Sequence, residues 1–219
     1  MRTSLKILSV LSTGLLITAA ACSGGSSSNS DGGTDAQSDA VVHKDSGMQD
    51  TGPVDAAAQC TADASYSGSL TQESASYTPT PADAGADAGP EDSYQFQGAY
   101  NTDADLLDIE IYDGYGVFTN GVQPGTYNLT GDELNYGTCG LCVLILGDAT
   151  ASSADPYMAT GGSITITSIS PTGTFAGTGT NLAFTHVSID QNTLESTPVN
   201  DGCNSSVASV SFSATVQQQ

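Results

Sequence analysis

The sequence predicts an all-β domain, an antiparallel β-sandwich or small barrel of about eight strands. Three observations carry that prediction. Apolar residues recur at every second position in one segment after another. Glycine and proline break these segments at short intervals, among them Gly114, Gly116, Pro124-Gly125, Gly131, Gly161-Gly162, Pro171, Gly173, Gly177 and Gly179. No segment shows the period of an amphipathic helix.

The expected strands lie near residues 65–77, 94–100, 105–112, 125–129, 142–147, 157–169, 173–189 and 205–216. The first two are separated by the Asp/Ala-rich run Pro81 to Pro90, read as an exposed loop. In the third, Leu107, Ile109 and Ile111 alternate with Asp108, Glu110 and Tyr112, which points Asp108 away from the core. The fourth follows the turn signal Pro124-Gly125. The fifth holds Val143-Leu144-Ile145-Leu146, a continuous apolar run expected of a strand covered on both faces. The sixth alternates strictly from Ser163 to Ile169. The seventh contains Leu182 to Ile189, with His186 inside it, and the last is marked by Val207, Val210, Phe212 and Val216. Together they make one domain over residues 60–217, large enough to bury a sizeable core.

Two segments precede that domain. Residues 1–21 have basic Arg2 and Lys6, an apolar run from Ile7 to Ala20, and small residues up to Ala21. That is the layout of a secretory signal. As a helix the run would rise about 21 Å, short of a hydrocarbon core of about 30 Å. Ala20-Ala21-Cys22 resembles the lipobox of bacterial lipoproteins, in which a small residue precedes the lipid-bearing cysteine. Ala19 departs from the leucine usual in that motif. The resemblance implies cleavage before Cys22, lipidation of Cys22 and an extracytoplasmic place in the cell envelope. Ser23 after the cysteine, by likeness to lipoprotein sorting rules, points to the outer rather than the inner membrane. Several acyl chains give stable anchoring, at about 0.8 kcal/mol per buried methylene. Residues 22–59 are rich in Ser, Gly, Asp and Ala, and read as a disordered tether with a reach on the order of 35 Å.

Cysteine number fits the lipid reading. Five cysteines are present. With Cys22 lipidated, Cys60, Cys139, Cys142 and Cys203 remain to form two disulfides in an oxidising compartment. Cys139-Gly140-Leu141-Cys142 is a CxxC motif, but it runs into a strand rather than opening the helix that a redox-active pair uses. The expected bridges are long-range, with Cys139 and Cys142 each joined to Cys60 or Cys203.

The stretches Asp105 to Gly114, Pro124 to Leu129, Asn135 to Val143 and Ser196 to Val199, together with Cys203, resemble predicted lipoproteins of myxobacterial type. The resemblance spans about half the chain. It implies location and architecture, and nothing about chemistry.

The charge is lopsided. The chain carries a formal net charge of −21. No lysine or arginine follows Lys44, and His186 is the sole histidine beyond His43. Nucleic-acid binding is therefore excluded, because phosphate neutralisation needs Lys and Arg. The usual arginine clamp for anionic substrates is missing too. Asp103, Asp105 and Asp108, with Asn101, Glu91 and Asp92 near them, form a candidate calcium site, since hard cations take several carboxylates. Their spacing departs from an EF-hand loop.

The sequence contains no Gly-x-Ser-x-Gly elbow and no histidine cluster. Paired acids are frequent enough to arise by chance. The expectation is a protein that is not an enzyme, needs no cofactor, and displays a structural or interaction domain toward a protein or glycan partner. The alternative is a calcium- or carbohydrate-binding module. In that case Tyr94, Tyr100, Tyr112, Tyr115, Tyr127 and Tyr136 would supply stacking surface instead of filling the core.

Overall fold

The computed structural model describes residues 60–80, 92–100, 105–149 and 154–219. The signal, Cys22, the tether, the acidic run 81–90, Glu91, Asn101 and Asp103 lie outside the described residues. Among the described residues no helix is long and apolar enough to cross a membrane.

The domain is all-β. Its strands are β1 (Leu70–Thr78), β2 (Ser93–Tyr100), β3 (Leu106–Tyr112), β4 (Gly125–Asn128), β5 (Leu141–Gly147), β6 (Asp155–Ser168), β7 (Thr174–Ile189), β8 (Ser196–Pro198) and β9 (Asn204–Gln218). Two short 3-10 turns, η1 (Gly116–Phe118) and η2 (Gly131–Leu134), bracket β4. All eight expected strands are present, within a few residues of their expected ends except at the start of β1. That strand begins at Leu70, and Tyr66 before it makes only an isolated bridge to Val207. The short β8 and both turns had no periodic signal to announce them.

The strands form one sheet in the order β4-β6-β5-β3-β2-β1-β9-β7-β8. β6 also pairs with β7, so the hydrogen bonding runs from β6 through β5, β3, β2, β1, β9 and β7 back to β6. Most pairs are antiparallel. One departs from the antiparallel expectation: the first and last strands run parallel, with Ala75 opposite Val216 and Tyr77 opposite Gln218. β6 and β7 can be long because irregularities at Ala159/Gly161, Gly161/Ser163 and Ile166/Ser168 bend their ladder. Gly177 permits that packing, because a Cβ there would stand 2.2 Å from the Thr165 carbonyl oxygen and 2.7 Å from Phe212.

Alternation decides which side chains meet. Phe96, Phe175 and Phe212 come from β2, β7 and β9 and form an aromatic cluster, with ring centres 5.0–6.1 Å apart. Leu107, Ile109, Ile111, Val143, Ile145, Ile164 and Ile166 join the same cluster. Each such side chain contributes roughly 1.5–3 kcal/mol on burial. A second, smaller cluster lies on the other face of β3 and β5, made of Tyr112, Tyr136, Cys142, Leu144, Leu146, Met158, Val187 and Leu194. β5 is buried at all seven positions, as its continuous apolar run requires.

The disulfides correct one expectation. Cys60 does reach Cys203, 143 residues away in sequence, but Cys139 pairs with Cys142 and not with a distant partner. The turn between them is the reason. The amides of Thr138 and Cys139 both donate to the Asn135 carbonyl, at 3.1 and 2.9 Å, and the two cysteine Cα atoms end 5.3 Å apart. That distance lies within the span a disulfide bridges.

Candidate functional site

The sharpest chemical feature is a buried acidic cluster on β3. Asp108 and Glu110 point away from the main core, as the alternation requires, yet they are only 1% and 7% exposed. The expectation of a solvent-facing Asp108 is thus corrected. The covering segment runs from η2 through Tyr136 to the Cys139–Cys142 disulfide. It is joined to the start of β8 by Tyr136 N–H donating to Ser196 Oγ at 3.1 Å and Asn135 Nδ2 donating to the Ser196 carbonyl at 3.4 Å.

The cluster is satisfied by neutral donors. Gln95 Nε2 on β2 donates to both Asp108 oxygens, at 3.1 and 3.3 Å, and reaches Glu110 Oε1 at 3.5 Å. Glu110 Oε2 accepts from the Tyr112 and Tyr136 hydroxyls, the latter at 2.8 Å. Burial, and then the neighbouring Glu110, push the Asp108 pKa well above the usual carboxylate range. Burial followed by the Glu110 charge also raises Tyr112 and Tyr136. With no lysine or arginine in the domain, no permanent side-chain cation offsets the buried Asp108 carboxyl, and its raised pKa favours the protonated form.

Glu133 is another buried acid, 2% exposed, and no sequence pattern marks it. Its Oε1 accepts from Val117 N–H at 2.8 Å and its Oε2 from Leu141 N–H at 2.6 Å. It therefore joins η1, η2 and the start of β5. Burial raises its pKa, and the backbone donors oppose that shift. Gly140 lies against this knot, and a Cβ there would stand 2.0 Å from the Tyr115 carbonyl oxygen.

Of the aspartates expected for calcium, the two described ones, Asp105 and Asp108, do not converge. Asp103 lies outside the described residues. Asp105 belongs to a separate network on the side of the main core, where it accepts from the Tyr66 hydroxyl and, at 3.0 Å, from Asp148 N–H. Asp108 sits on the opposite face with Glu110. Asp92 accepts from the Tyr77 hydroxyl at 2.5 Å and from Thr80 N–H at 3.1 Å. That bond first, and burial second, push the Tyr77 pKa up to about 12. Among the described residues no three His, Cys, Asp or Glu side chains group as a metal site.

The tyrosines considered for a sugar platform are mostly internal. Tyr94, Tyr100, Tyr112 and Tyr136 are buried, while Tyr115 and Tyr127 are half-buried. Their role is packing, as in the Tyr66–Tyr100 stack at 4.4 Å.

His186 is half-buried. Its Nδ1 lies 2.5 Å from Asp201 Oδ2, and its ring stacks on Tyr157 at 5.0 Å. Asp201 also accepts from Cys203 N–H at 2.9 Å, and these two bonds, His186 first, lower its pKa. The Tyr157 hydroxyl in turn accepts from Thr61 and Ala62 N–H. His186 is thus built into the junction around the Cys60–Cys203 bridge.

Comparison with protein-family models, with curated proteins and with solved structures finds no match for this chain. The class the fold defines is a disulfide-stapled all-β domain whose buried acids are tied into its own framework.

Proposed function

We propose that this chain is an exported lipoprotein, cut before Cys22 and held in the cell envelope by lipid on that cysteine, which displays a non-enzymatic interaction domain at the end of a tether. The observation that carries this reading is the cysteine count. The four cysteines of the domain pair with one another, Cys60 with Cys203 and Cys139 with Cys142, and the fifth is Cys22 of the lipobox-like sequence. Two internal bridges suit an oxidising compartment.

The acids support binding over catalysis. Asp105, Asp108, Glu110, Glu133 and Asp201 each accept hydrogen bonds from the domain's own amides, hydroxyls or imidazole. A general acid needs a free path to a substrate, and the Asp108–Glu110 pair is wrapped on all sides by its own donors and covering segment.

The test is the intact mass of the protein extracted from its native membrane, before and after reduction. The expected mass is that of a chain starting at Cys22 plus acyl groups, gaining four hydrogens on reduction. An unlipidated chain, or one with free thiols in the domain, would sink the reading.

A further inference from the structure

We infer that the free edge of β4 and the two turns beside it are a docking site for an extended, cationic segment of another protein, which adds as a strand to the sheet. This deepens the reading of the domain as an interaction module.

Among the described residues, β4 stands at one end of the strand order and bonds only β6. Register shows which backbone groups are unused. Leu129 N–H donates to the Gly162 carbonyl, so the hydrogen-bonded positions are Gly125, Tyr127 and Leu129. The N–H and C=O of Thr126 and Asn128 therefore point away from β6, and no described strand covers them. The other end of the order differs. β8 stops at Pro198, and its Ser196 is engaged by Asn135 and Tyr136.

Exposed apolar residues lie on the turns that flank β4 in the chain, and η1 packs on β4 through Phe118 and Tyr127, ring centres 4.8 Å apart. Among the described residues the exposed large hydrophobics are Val117, 40% exposed, and Leu134, 37% exposed. Val117 is on η1 and Leu134 on η2, the turns that bracket β4. They are held together, because Glu133, next to Leu134, accepts from Val117 N–H. An open strand edge with apolar anchors beside it is the arrangement used in strand addition, where main-chain bonds give affinity and side-chain contacts give specificity.

Charge selects the occupant. Asp132 is exposed on η2, and the domain has many acids but neither lysine nor arginine. A second copy of this chain would be repelled, whereas a strand bearing lysine or arginine would be attracted and oriented.

The experiment uses the full mature chain with both disulfides formed. The probe is an unstructured ten-residue peptide of alternating valine and lysine, with a valine–glutamate peptide as control. The expected result is binding of the lysine peptide alone, weakened by salt, with slowed amide exchange at Thr126 and Asn128. Thr126→Pro removes one outward N–H and the hydroxyl bond to Thr165 on β6, leaves the backbone bonds to β6 in place, and should weaken binding about fivefold to tenfold. Leu134→Asp separates docking from simple attraction, because it adds an acid while removing an apolar contact. Docking predicts weaker binding and bulk electrostatics predicts stronger binding. Melting curves confirm that each variant is folded. Absence of binding, binding unaffected by Thr126→Pro, tighter binding by Leu134→Asp, or self-association through this edge would each overturn the assignment. None of these outcomes bears on the lipid anchor, which the intact mass reads separately.

Discussion

In the β7–β9 wall and the β3–β5 wall, strands β9 and β3 have similar alternating sequence, yet they end in opposite environments. On β9, Val207, Val210, Phe212, Ala214 and Val216 are buried, while Ser206, Ser211, Ser213 and Thr215 are exposed. On β3 and β5 no position is exposed. The difference lies in the cover. The segment from η2 to Cys142, together with Leu194, closes over β3 and β5, and it brings the Tyr136 hydroxyl that makes a buried carboxylate tolerable there. Alternation thus reports which side of a strand faces the main core. Whether the other side is wet depends on residues elsewhere in the chain.

Each wall has its own disulfide, and the largest expected effect separates them. Cys60–Cys203 spans 143 residues and joins the domain's first described residue to the start of β9, whereas Cys139–Cys142 spans three. Loop-closure entropy assigns about 5 kcal/mol to the first and about 2 kcal/mol to the second. Replacing Cys60 and Cys203 together by alanine should cost more than twice as much stability in denaturant titrations as replacing Cys139 and Cys142. Equal losses would mean that the covering segment matters as much as the long bridge.

A substitution on each face of the outer wall comes next. Phe175→Ala opens the aromatic cluster and should cost about 3–5 kcal/mol. Ser211→Ala, on the exposed face, should stay within about 0.5 kcal/mol. On the covered wall, Glu133→Gln is nearly isosteric but exchanges an acceptor oxygen for an NH₂ group. One of the N–H groups of Val117 and Leu141 would then face a donor, at a cost of about 1–3 kcal/mol. Faster amide exchange at Val117 and Leu141, with the β7–β9 amides unchanged, would localise the loss.

These contrasts explain what could be read from the sequence. The strands were legible because β-branched and aromatic residues at period two, bounded by Gly and Pro, leave few alternatives. The double burial of β5 was legible because Val143 to Leu146 offers no polar face. The matching burial of β3 was not, because Asp108 and Glu110 look like a solvent face until Gln95, Tyr112 and Tyr136 are placed beside them. Glu133 was invisible for the same reason, since its partners are backbone amides that any sequence carries. The Cys139–Cys142 pairing was not legible, because loop size favours distant partners and the turn at Asn135 that brings the two together leaves no periodic mark. Two of the calcium candidates, Asp105 and Asp108, do not meet, because Asp105 precedes β3 and turns to the Tyr66 side while Asp108 points to the covered face.

The smallest expected effect concerns the proton held by the covered wall, and its sign differs from that of an ordinary acidic protein. Asp108 has a raised pKa in the folded domain, and Glu133 is shifted in the same direction. In the unfolded chain a carboxyl loses its proton near pH 4. Above that pH the folded state holds a proton that the unfolded state has released, so this stabilisation is complete below about pH 4 and fades as pH rises through the folded values. Asp201 and Asp190 act oppositely, because their lowered values give stability that disappears only at more acid pH. The melting temperature should therefore be higher at pH 5 than at pH 8. Asp108→Asn supplies a neutral side chain that needs no proton, keeps an acceptor for Gln95 and offers a donor to Glu110. It should raise the melting temperature at pH 8 and flatten the slope between pH 5 and pH 8. His186→Gln serves as the control for the one imidazole of the domain, and should leave most of that slope in place. A wild-type profile already flat across this range would contradict the account of a proton held on buried Asp108, and so would an Asp108→Asn variant equally destabilised at both pH values.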